Sequence, residues 1–530
     1  MQSRKDQVQA HLFVMGRVAA GLHRADPDSP DSPPTARTRR GVMWGLLVTA
    51  LAGAVCLIWG LISPGGATGW AAEGTLVVVR DSGARYLYLN GALHPVLNET
   101  SARLLAGDRL VVRQVAAASL AGAPRGATLG IAGAPDGLPS EDLSDAAWQV
   151  CAAPDTASGD TASGDTASGD TASAATLTSV VVDTDGPGPG LDSARGVLVT
   201  TGSDGDGVQL LWRGRRYAVD TAHGADSALG WAGVRPVRVG AAFLTAFGAG
   251  PDIAPPDLAG RGTAGPALAG TASRVGQLFT AAGRHYVLTR DGLAPLTDLE
   301  FRLLKGDPRT QRSAYGGGRV TVRDVGGADL DAHPARDATT LLSAALPATA
   351  PRAVPVNPGT QRVCARIVPG HGDRQVTTTV VVAGSAGPVG SVPDTQPGVT
   401  AACVPADRIS VRAGGGVLVR ALSSAGTGAS YVLVTDTGVA YPVPSATAVE
   451  RLGHDSSDAV RLPARLLSLL PTGPSLDPAA LSARGLVPAD AGTDAGTDAG
   501  TGGGPGADAG DADRGAPVNP APRSGVGCAS

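Results

Sequence analysis

Phosphate-transfer chemistry is the first possibility that the basic residues raise. A phosphate-binding loop needs the pattern G-x-x-x-x-G-K-[ST], because its lysine has to reach the β- and γ-phosphates. The chain contains two lysines, Lys5 and Lys305, and neither stands in that pattern. The glycines at 316–318 lie beside Arg319 and could cradle an anion, but a turn that leads into a strand is the simpler interpretation. We therefore predict no nucleotide-hydrolysing loop.

Metal binding and acyl transfer also lack their usual patterns. The eight histidines show neither H-x-x-x-H nor H-E-x-x-H spacing, so we predict no metal site. The sequence Asp204-Gly-Asp206-Gly resembles the start of a calcium loop, but no glutamate closes it at the right distance, and a hairpin turn is predicted instead. No G-x-S-x-G elbow occurs, and Glu141-Asp142 is interpreted as a solvated turn. We therefore predict no catalytic, cofactor-binding or metal-binding residues.

The overall charge argues against nucleic acid as a partner. The formal net charge is −4, and the basic residues are spread along the chain. Binding to phosphates requires a concentrated basic face. At 530 residues the chain has room for several domains, because one compact core rarely exceeds about 250–300 residues.

A hydrophobic segment near the N-terminus predicts membrane insertion. Residues 41–63 (GVMWGLLVTALAGAVCLIWGLIS) carry no charge, and a helix of this length can cross a hydrocarbon core of about 30 Å. Trp44 and Trp59 lie near its ends, where aromatic rings favour the interface. The alternative is a signal peptide, which would have a shorter apolar core closer to Met1 and an A-x-A site soon after it. We predict an uncleaved transmembrane helix.

Flanking charge predicts the orientation of this helix. Arg37, Arg39 and Arg40 precede the segment, whereas the first residues after it carry no charge. The positive-inside rule places the arginine-rich side in the cytoplasm. We therefore expect residues 1–40 to be cytoplasmic and residues 64–530 to be exported.

The N-terminal residues 3–23 are predicted to form an amphipathic helix. Its apolar stripe consists of Val8, Leu12, Met15, Ala19 and Leu22. No other part of the chain on the cytoplasmic side could cover that stripe, so we predict that it docks onto a partner's cytoplasmic domain. The alternative is a helix that lies on the membrane surface. Residues 24–40 are rich in Pro, Asp and Ser and are predicted to be a tether.

One pattern occurs four times in the exported part. Each copy has a short strand, a glycine turn, a second strand, a capping residue and a helix that ends at glycine. The caps and end residues are Asn98 and Gly107, Asp220 and Gly230, Thr297 and Gly306, and Ser445 and Gly453. Such a unit cannot bury its apolar face alone, so the copies should pair or stack.

Copies two and four also share a second half. Phe243-Leu244 corresponds to Leu466-Leu467, and Gly250-Pro251 corresponds to Gly473-Pro474, at identical offsets. This regularity indicates internal duplication.

A β-rich central domain is predicted from two separate segments. Residues 108–200 and 310–425 contain short Val/Thr strands such as VTTTVVV at 376–382. Two of the cysteines between the copies, Cys151 and Cys364, could join these parts, and such a bridge would stabilise the assembly by several kcal/mol. Cys403 is the competing partner. No C-x-x-C spacing occurs, and the exported side permits a disulfide.

The predicted fold class is α+β. A single N-terminal transmembrane helix precedes an elongated exported region of four strand-turn-strand-helix repeats that flank the discontinuous central domain. The predicted segments are 1–40 (cytoplasmic helix and tether), 41–63 (transmembrane helix), 74–107 (copy 1), 108–200 (central domain, with a flexible insert at 155–173), 201–260 (copy 2), 274–309 (copy 3), 310–425 (central domain), 426–486 (copy 4) and 487–530 (disordered tail).

These motifs together resemble EccB, the membrane component of the type VII (ESX) secretion systems of actinobacteria. The resemblance rests on Lys5-Asp-Gln-Val-Gln-Ala-His11, Tyr86 to Leu105, Asp291-Gly-Leu-Ala-Pro-Leu-Thr297, Tyr431-Val-Leu-Val-Thr-Asp with Tyr441-Pro-Val-Pro-Ser445, and Leu470-Pro-Thr-Gly-Pro474-Ser-Leu-Asp-Pro478. The insert at 155–173 and the Ala/Asp/Gly-rich tail depart from the family pattern.

The resemblance implies a subunit of a plasma (inner) membrane complex with EccC, EccD and EccE, in which EccC is the motor. It also implies that exported domains of several copies associate near the symmetry axis. Some family members carry an ATPase label, so an ATP-hydrolysing component, with ATP as cofactor, is the alternative to a structural subunit. A cell-wall-binding anchor is the second alternative.

Overall fold

The described part of the chain forms two compact units. The computed structural model describes residues 4–24, 35–62, 69–139, 143–154, 176–182, 188–202, 207–335, 341–384, 389–393, 396–423 and 426–482. One unit contains residues 1–71, 78–84 and 113–123, and the other contains the remainder. The predicted insert, the C-terminal tail, Glu141-Asp142 and Asp204-Gly-Asp206 lie outside the described residues.

The helices are mostly short, apart from the two at the N-terminus. In chain order they are α1 (Arg4–Arg24), α2 (Thr35–Ile62), α3 (Glu99–Ala106), α4 (Ala225–Ala228), α5 (Ala241–Leu244), α6 (Asp298–Gly306), α7 (Pro308–Ala314), α8 (Gly327–Ala332), α9 (Ala446–Arg451), α10 (Ala464–Leu467) and α11 (Pro478–Ser482).

The strands are rich in valine and leucine, as the composition requires. The first eleven are β1 (Thr75–Val79), β2 (Arg85–Leu89), β3 (Ala92–Pro95), β4 (Val111–Val115), β5 (Trp148–Pro154), β6 (Thr176–Val181), β7 (Arg195–Thr200), β8 (Gln209–Trp212), β9 (Arg215–Ala218), β10 (Val237–Arg238) and β11 (Gly248–Ala249). The others are β12 (Leu278–Ala281), β13 (Arg284–Thr289), β14 (Gly292–Leu296), β15 (Val322–Asp324), β16 (Arg352–Ala353), β17 (Gln361–Val368), β18 (Thr377–Gly384), β19 (Arg408–Ser410), β20 (Gly416–Ser423), β21 (Gly426–Thr435), β22 (Ala440–Val443) and β23 (Val460–Pro463).

Four sheets share one strand order, and each contains the hairpin of one predicted copy. The orders are β3-β2-β1-β4 for the copy-1 sheet, β9-β8-β7-β10 for the copy-2 sheet, β14-β13-β12-β15 for the copy-3 sheet and β22-β21-β20-β23 for the copy-4 sheet. The copy-2 sheet also carries β11 beside β9, and β16 pairs with β7. In copies 2, 3 and 4 the last strand runs parallel to the first, which requires the crossover through the helix.

The predicted capping residues begin the helices of three copies. Asn98, Thr297 and Ser445 each accept, through the side-chain oxygen, the backbone N–H three residues on, at 3.0–3.2 Å. Copy 2 differs. Asp220 caps a single 3-10 turn, and Gly224, with φ of 73°, separates that turn from α4. The expected single helix of this copy is therefore two short pieces, because glycine adopts the left-handed conformation that ends a helix.

The expected segment boundaries at 200 and 425 are wrong with respect to the sheets. The predicted central domain includes β7 and β20, but in the structure they are the first strands of the copy-2 and copy-4 sheets. β4 and β15, also assigned there, pair with the first strands of copies 1 and 3. Valine-rich strands of the two kinds have the same composition, so only pairing distinguishes them.

The fifth sheet is built from two distant parts of the chain. Its order is β18-β17-β5-β6-β19, so 148–181 contributes two strands and 361–410 contributes three. Its core includes Trp148, which is fully buried. The duplicated second halves of copies 2 and 4 pack into this core through Phe243 of α5 and Leu466 of α10. We call this sheet the central sheet.

The copies pair in two sets that cover each other's helices. Leu104 of α3 in copy 1 shares a core with Leu433 and Val449 of copy 4. Leu299 of α6 in copy 3 shares a core with Leu210 and other residues of copy 2. Each fully buried leucine contributes about 1.5–3 kcal/mol, which a single copy could not obtain alone.

Candidate functional site

The apolar residues of α1 form an exposed face on the N-terminal helix. Val8, Leu12, Met15 and Leu22 are all exposed, Leu22 to 80 %. Val18 is exposed beside this stripe, and the four-residue step from Val18 to Leu22 was a signal that sequence reasoning did not use. Phe13 and Val14 are exposed too, but at about 100° per residue they lie outside the stripe, on other sides of the helix. The exposed stripe can bind an apolar surface.

The second helix has the length and composition of a membrane span. Within the described residues, Thr38–Trp59 of α2 is the one candidate, and none of it is buried. The Thr49 hydroxyl donates a hydrogen bond to the Gly45 carbonyl oxygen at 2.8 Å, which satisfies this polar group without water.

The arginines that predict topology lie in the first turns of this same helix. Because α2 begins at Thr35, the backbone at Arg37, Arg39 and Arg40 is helical. The tether predicted over residues 24–40 is therefore wrong at its C-terminal end. Arginine and alanine are good helix formers, so the span extends N-terminally once it has formed.

A disulfide joins the two parts of the central sheet. Cys151 in β5 lies directly opposite Cys364 in β17, and their sulfurs are bonded across a sequence separation of 213 residues. Both side chains are buried. Cys403, the competing partner, is in a separate disulfide. The bond therefore joins two neighbouring strands of one sheet that lie far apart in the sequence.

A buried carboxylate connects copy 3 to the segment that precedes it. Asp307 has no exposed side-chain surface and accepts hydrogen bonds from the Arg309 backbone N–H at 2.9 Å, the Thr310 hydroxyl at 3.1 Å and the Arg261 guanidinium. Burial by itself raises the pKa of Asp307, but these hydrogen bonds and the charge of Arg261 lower it below its ordinary value. Both oxygens have partners, so this carboxylate caps α7 and joins it to Arg261 in the preceding segment.

The residues weighed for phosphate chemistry lie apart from any cradle. Lys305 is in the last turn of α6, with its ammonium 5.6 Å from the Phe301 ring centre. The glycines at 316–318 form a turn after α7, where the Gly317 N–H donates to the Gln311 carbonyl oxygen at 3.0 Å. Within the described ranges, no three His, Cys, Asp or Glu side chains could hold a metal ion together.

These features define a class, proteins with one candidate membrane span in the described residues and several small sheets that pair through their helices, and the comparison with protein families identifies the family. Residues 1–489 match the family described as "Type VII secretion system ESX-1, transport TM domain B". The chain belongs to this family, the EccB proteins of type VII secretion systems.

Curated relatives agree with this assignment. The chain is 29 % identical to "ESX-3 secretion system ATPase EccB3" of Mycolicibacterium smegmatis over 89 % of each chain. It is also 29 % identical to "ESX-2 secretion system ATPase EccB2" of Mycobacterium tuberculosis, over 61 % of this chain and 62 % of the relative.

Solved structures show the same fold. "Structure of EccB3 dimer from the ESX-3 core complex" superimposes with a TM-score of 0.56 at 24 % identity, over 77 % of this chain and 99 % of that one. "Structure of an intact ESX-5 inner membrane complex" gives a TM-score of 0.55 at 22 % identity, over 94 % and 98 % of the two chains.

Proposed function

We propose that this chain is a structural membrane subunit of a type VII (ESX) protein secretion complex. The observation that carries the proposal is the family match over residues 1–489, which includes α1, α2 and all five sheets. A span joined to paired repeats suits a subunit that anchors and assembles the exported side of a channel. The solved relative within an inner membrane complex supports the same setting.

In this proposal α2 crosses the inner (plasma) membrane once. Residues 1–40 lie in the cytoplasm with the arginines, and residues 64–530 lie on the exported side. The exported residues of several copies then associate, in keeping with the dimer described for the ESX-3 relative.

The exposed face of α1 is the proposed contact with the cytoplasmic subunits, of the EccC, EccD and EccE types. Substituting a buried apolar contact with a charge leaves that charge without a partner, which is costly at an interface. Leu12→Glu should therefore reduce co-purification of these subunits with a tagged chain at least tenfold. The control is Ala10→Glu, which places the same charge on the opposite face of α1.

Equal recovery of the subunits with Leu12→Glu and Ala10→Glu would argue against docking through this face. Deletion of residues 1–24 tests the same contact independently of side-chain choice. If that deletion also leaves co-purification unchanged, the helix has no docking role and the membrane-surface alternative is favoured.

An ATP-hydrolysing role is the second candidate, and the names of the EccB3 and EccB2 relatives, which call them ATPases, favour it. It predicts ATP turnover by the purified full-length chain with magnesium present. Turnover that survives in several preparations and is lost on substituting one acidic residue would establish this role. Release of phosphate no faster than from a buffer blank would exclude it.

A further inference from the structure

A groove of about 710 Å³ lies on the copy-2 sheet. One wall is the β8–β9 hairpin with Trp212, Arg213, Arg215 and Tyr217, and the other is the segment 344–351, which follows a course of turns and bends. The segment is held by two hydrogen bonds, one near its middle and one at its last residue. The Leu299 N–H donates to the carbonyl oxygen of residue 348 at 3.0 Å, and the Trp231 indole N–H donates to that of residue 351 at 3.0 Å. The groove therefore has fixed walls.

The turn of the hairpin holds an arginine in an uncommon conformation. Arg213 has φ of 46°, in the left-handed region that side chains other than Asn and Asp rarely adopt. Its guanidinium carbon lies 4.7 Å from the Trp212 ring centre. The ring is itself held, because the Trp212 indole N–H donates to the Ser193 carbonyl oxygen at 2.8 Å. The cation is thus placed at the groove by a rigid support.

The lining of the groove, as far as the structure describes it, carries two arginines and no carboxylate. The Arg215 guanidinium donates one hydrogen bond to the Ala249 carbonyl oxygen at 3.2 Å and lines the groove. Among the described residues, neither Arg213 nor Arg215 forms an ion pair, and the groove lining includes no Asp or Glu. Burial raises the pKa of Tyr217, and the charges of Arg215 and Arg213 oppose that rise, which agrees with their closeness to the groove.

We propose that this groove binds an acidic, extended segment of a partner protein on the exported side. Guanidinium groups recognise carboxylates through paired hydrogen bonds, and Arg213 and Arg215 line the groove without a carboxylate partner among the described residues. The volume is that of a ligand pocket and exceeds the space that one inorganic anion fills. The apolar wall with Pro347 and Pro351 suits the backbone and small side chains of an extended peptide. This inference goes beyond the proposed subunit role.

Fluorescence anisotropy with the full-length protein in detergent tests the proposal. The probe is a labelled decapeptide of Ala and Pro with three Asp, and its counterpart carries three Asn. We expect the Asp peptide to bind, to weaken as NaCl rises from about 50 to 300 mM, and to bind at least tenfold more tightly than the Asn peptide. Binding should also change the tryptophan emission, and this change should be lost in Trp212→Phe.

The variant is Arg213→Asn combined with Arg215→Gln. Asparagine suits the left-handed turn position, so the hairpin is kept while both charges are removed. The matched control is Arg284→Gln, an exposed arginine at the start of a hairpin strand in copy 3. A tenfold loss of Asp-peptide affinity in the double variant, with none in the control, supports the proposal. No binding to wild type, equal binding of the two peptides, or full affinity in the double variant overturns it.

Discussion

The ring of Tyr441 lies against the α-carbon of Gly473, in space that a β-carbon on residue 473 would need. The Gly473 N–H donates to the carbonyl oxygen of the residue before the tyrosine, at 2.9 Å. The same contact occurs in copy 2, where Tyr217 lies against Gly250 and the glycine N–H donates to the residue before Tyr217 at 2.7 Å. The duplicated second halves are therefore fastened to their sheets in one way.

Gly473→Ala should destabilise the fold by about 1–3 kcal/mol, since the added methyl meets the buried ring of Tyr441 and neither can move freely. Urea unfolding followed by circular dichroism would measure the change. Gly233→Ala is the control, because a β-carbon there meets nothing within 4 Å. Equal stability of the two variants would show that the tyrosine yields to the methyl.

The disulfide of the central sheet should contribute about 2–5 kcal/mol to the free energy of unfolding, because it closes a long loop in the unfolded chain. Cys151→Ser with Cys364→Ser should lower the urea midpoint. Cys56→Ser should leave it unchanged, since Cys56 is a free, exposed thiol in α2. A midpoint that is insensitive to the double substitution would mean that the sheet pairs equally well without the bond.

Asp307 should make stability depend on acid pH. Its pKa in the folded protein lies below the unfolded value of about 3.9, so its contribution is present above about pH 4 and is lost as pH falls through the folded pKa. Asp307→Asn should cost about 3–5 kcal/mol at pH 7, because the buried Arg261 then keeps as counter-charge only the exposed carboxylate of Asp257, at 3.9 Å. The variant should also lose less stability than wild type between pH 4 and 2.

The comparison for Asp307 is Asp298→Asn, which removes an exposed pair with Arg302 and should cost less than about 0.5 kcal/mol. Unfolding curves at several pH values measure both. Parallel acid profiles for wild type and Asp307→Asn would assign the acid sensitivity to other carboxylates.

Protease added to intact spheroplasts should digest the region after Trp70 and spare residues before α2, because the proposed orientation leaves the sheets outside. Replacing Arg37, Arg39 and Arg40 with Glu should make part of the population insert in the opposite sense. Immunoblotting with tags at either end measures both. Protection of the region after Trp70 in wild type would reverse the proposed topology.

Local features of this fold were accessible from sequence, and long-range pairing was not. The caps Asn98, Thr297 and Ser445 act within three residues of their own positions, so their motifs contain the needed information. The membership of β7 and β20 in the copy-2 and copy-4 sheets depends on partners elsewhere in the chain. Val417 and Val197 are apolar strand residues in either assignment, and a single sequence does not rank the two.

The groove of copy 2 shows the same limit at a functional surface. Arg213 and Arg215 stand in a hairpin whose turn was predicted, but the wall at 344–351 comes from more than a hundred residues away. No motif joins them. The groove is positive because its described lining has two arginines and no carboxylate. That combination depends on the three-dimensional arrangement of the chain.

The nested pairing of the copies has a consequence for biogenesis. If the chain crosses the membrane N-terminus first, copies 2 and 3 meet soon after they emerge, whereas copy 1 waits for copy 4 at the far end. During that delay the leucines of α3 face water without their cover. Strands β20 to β23 form the sheet that supplies part of this cover, so a chain that ends before them should leave the leucines of α3 exposed and the shortened product sensitive to protease.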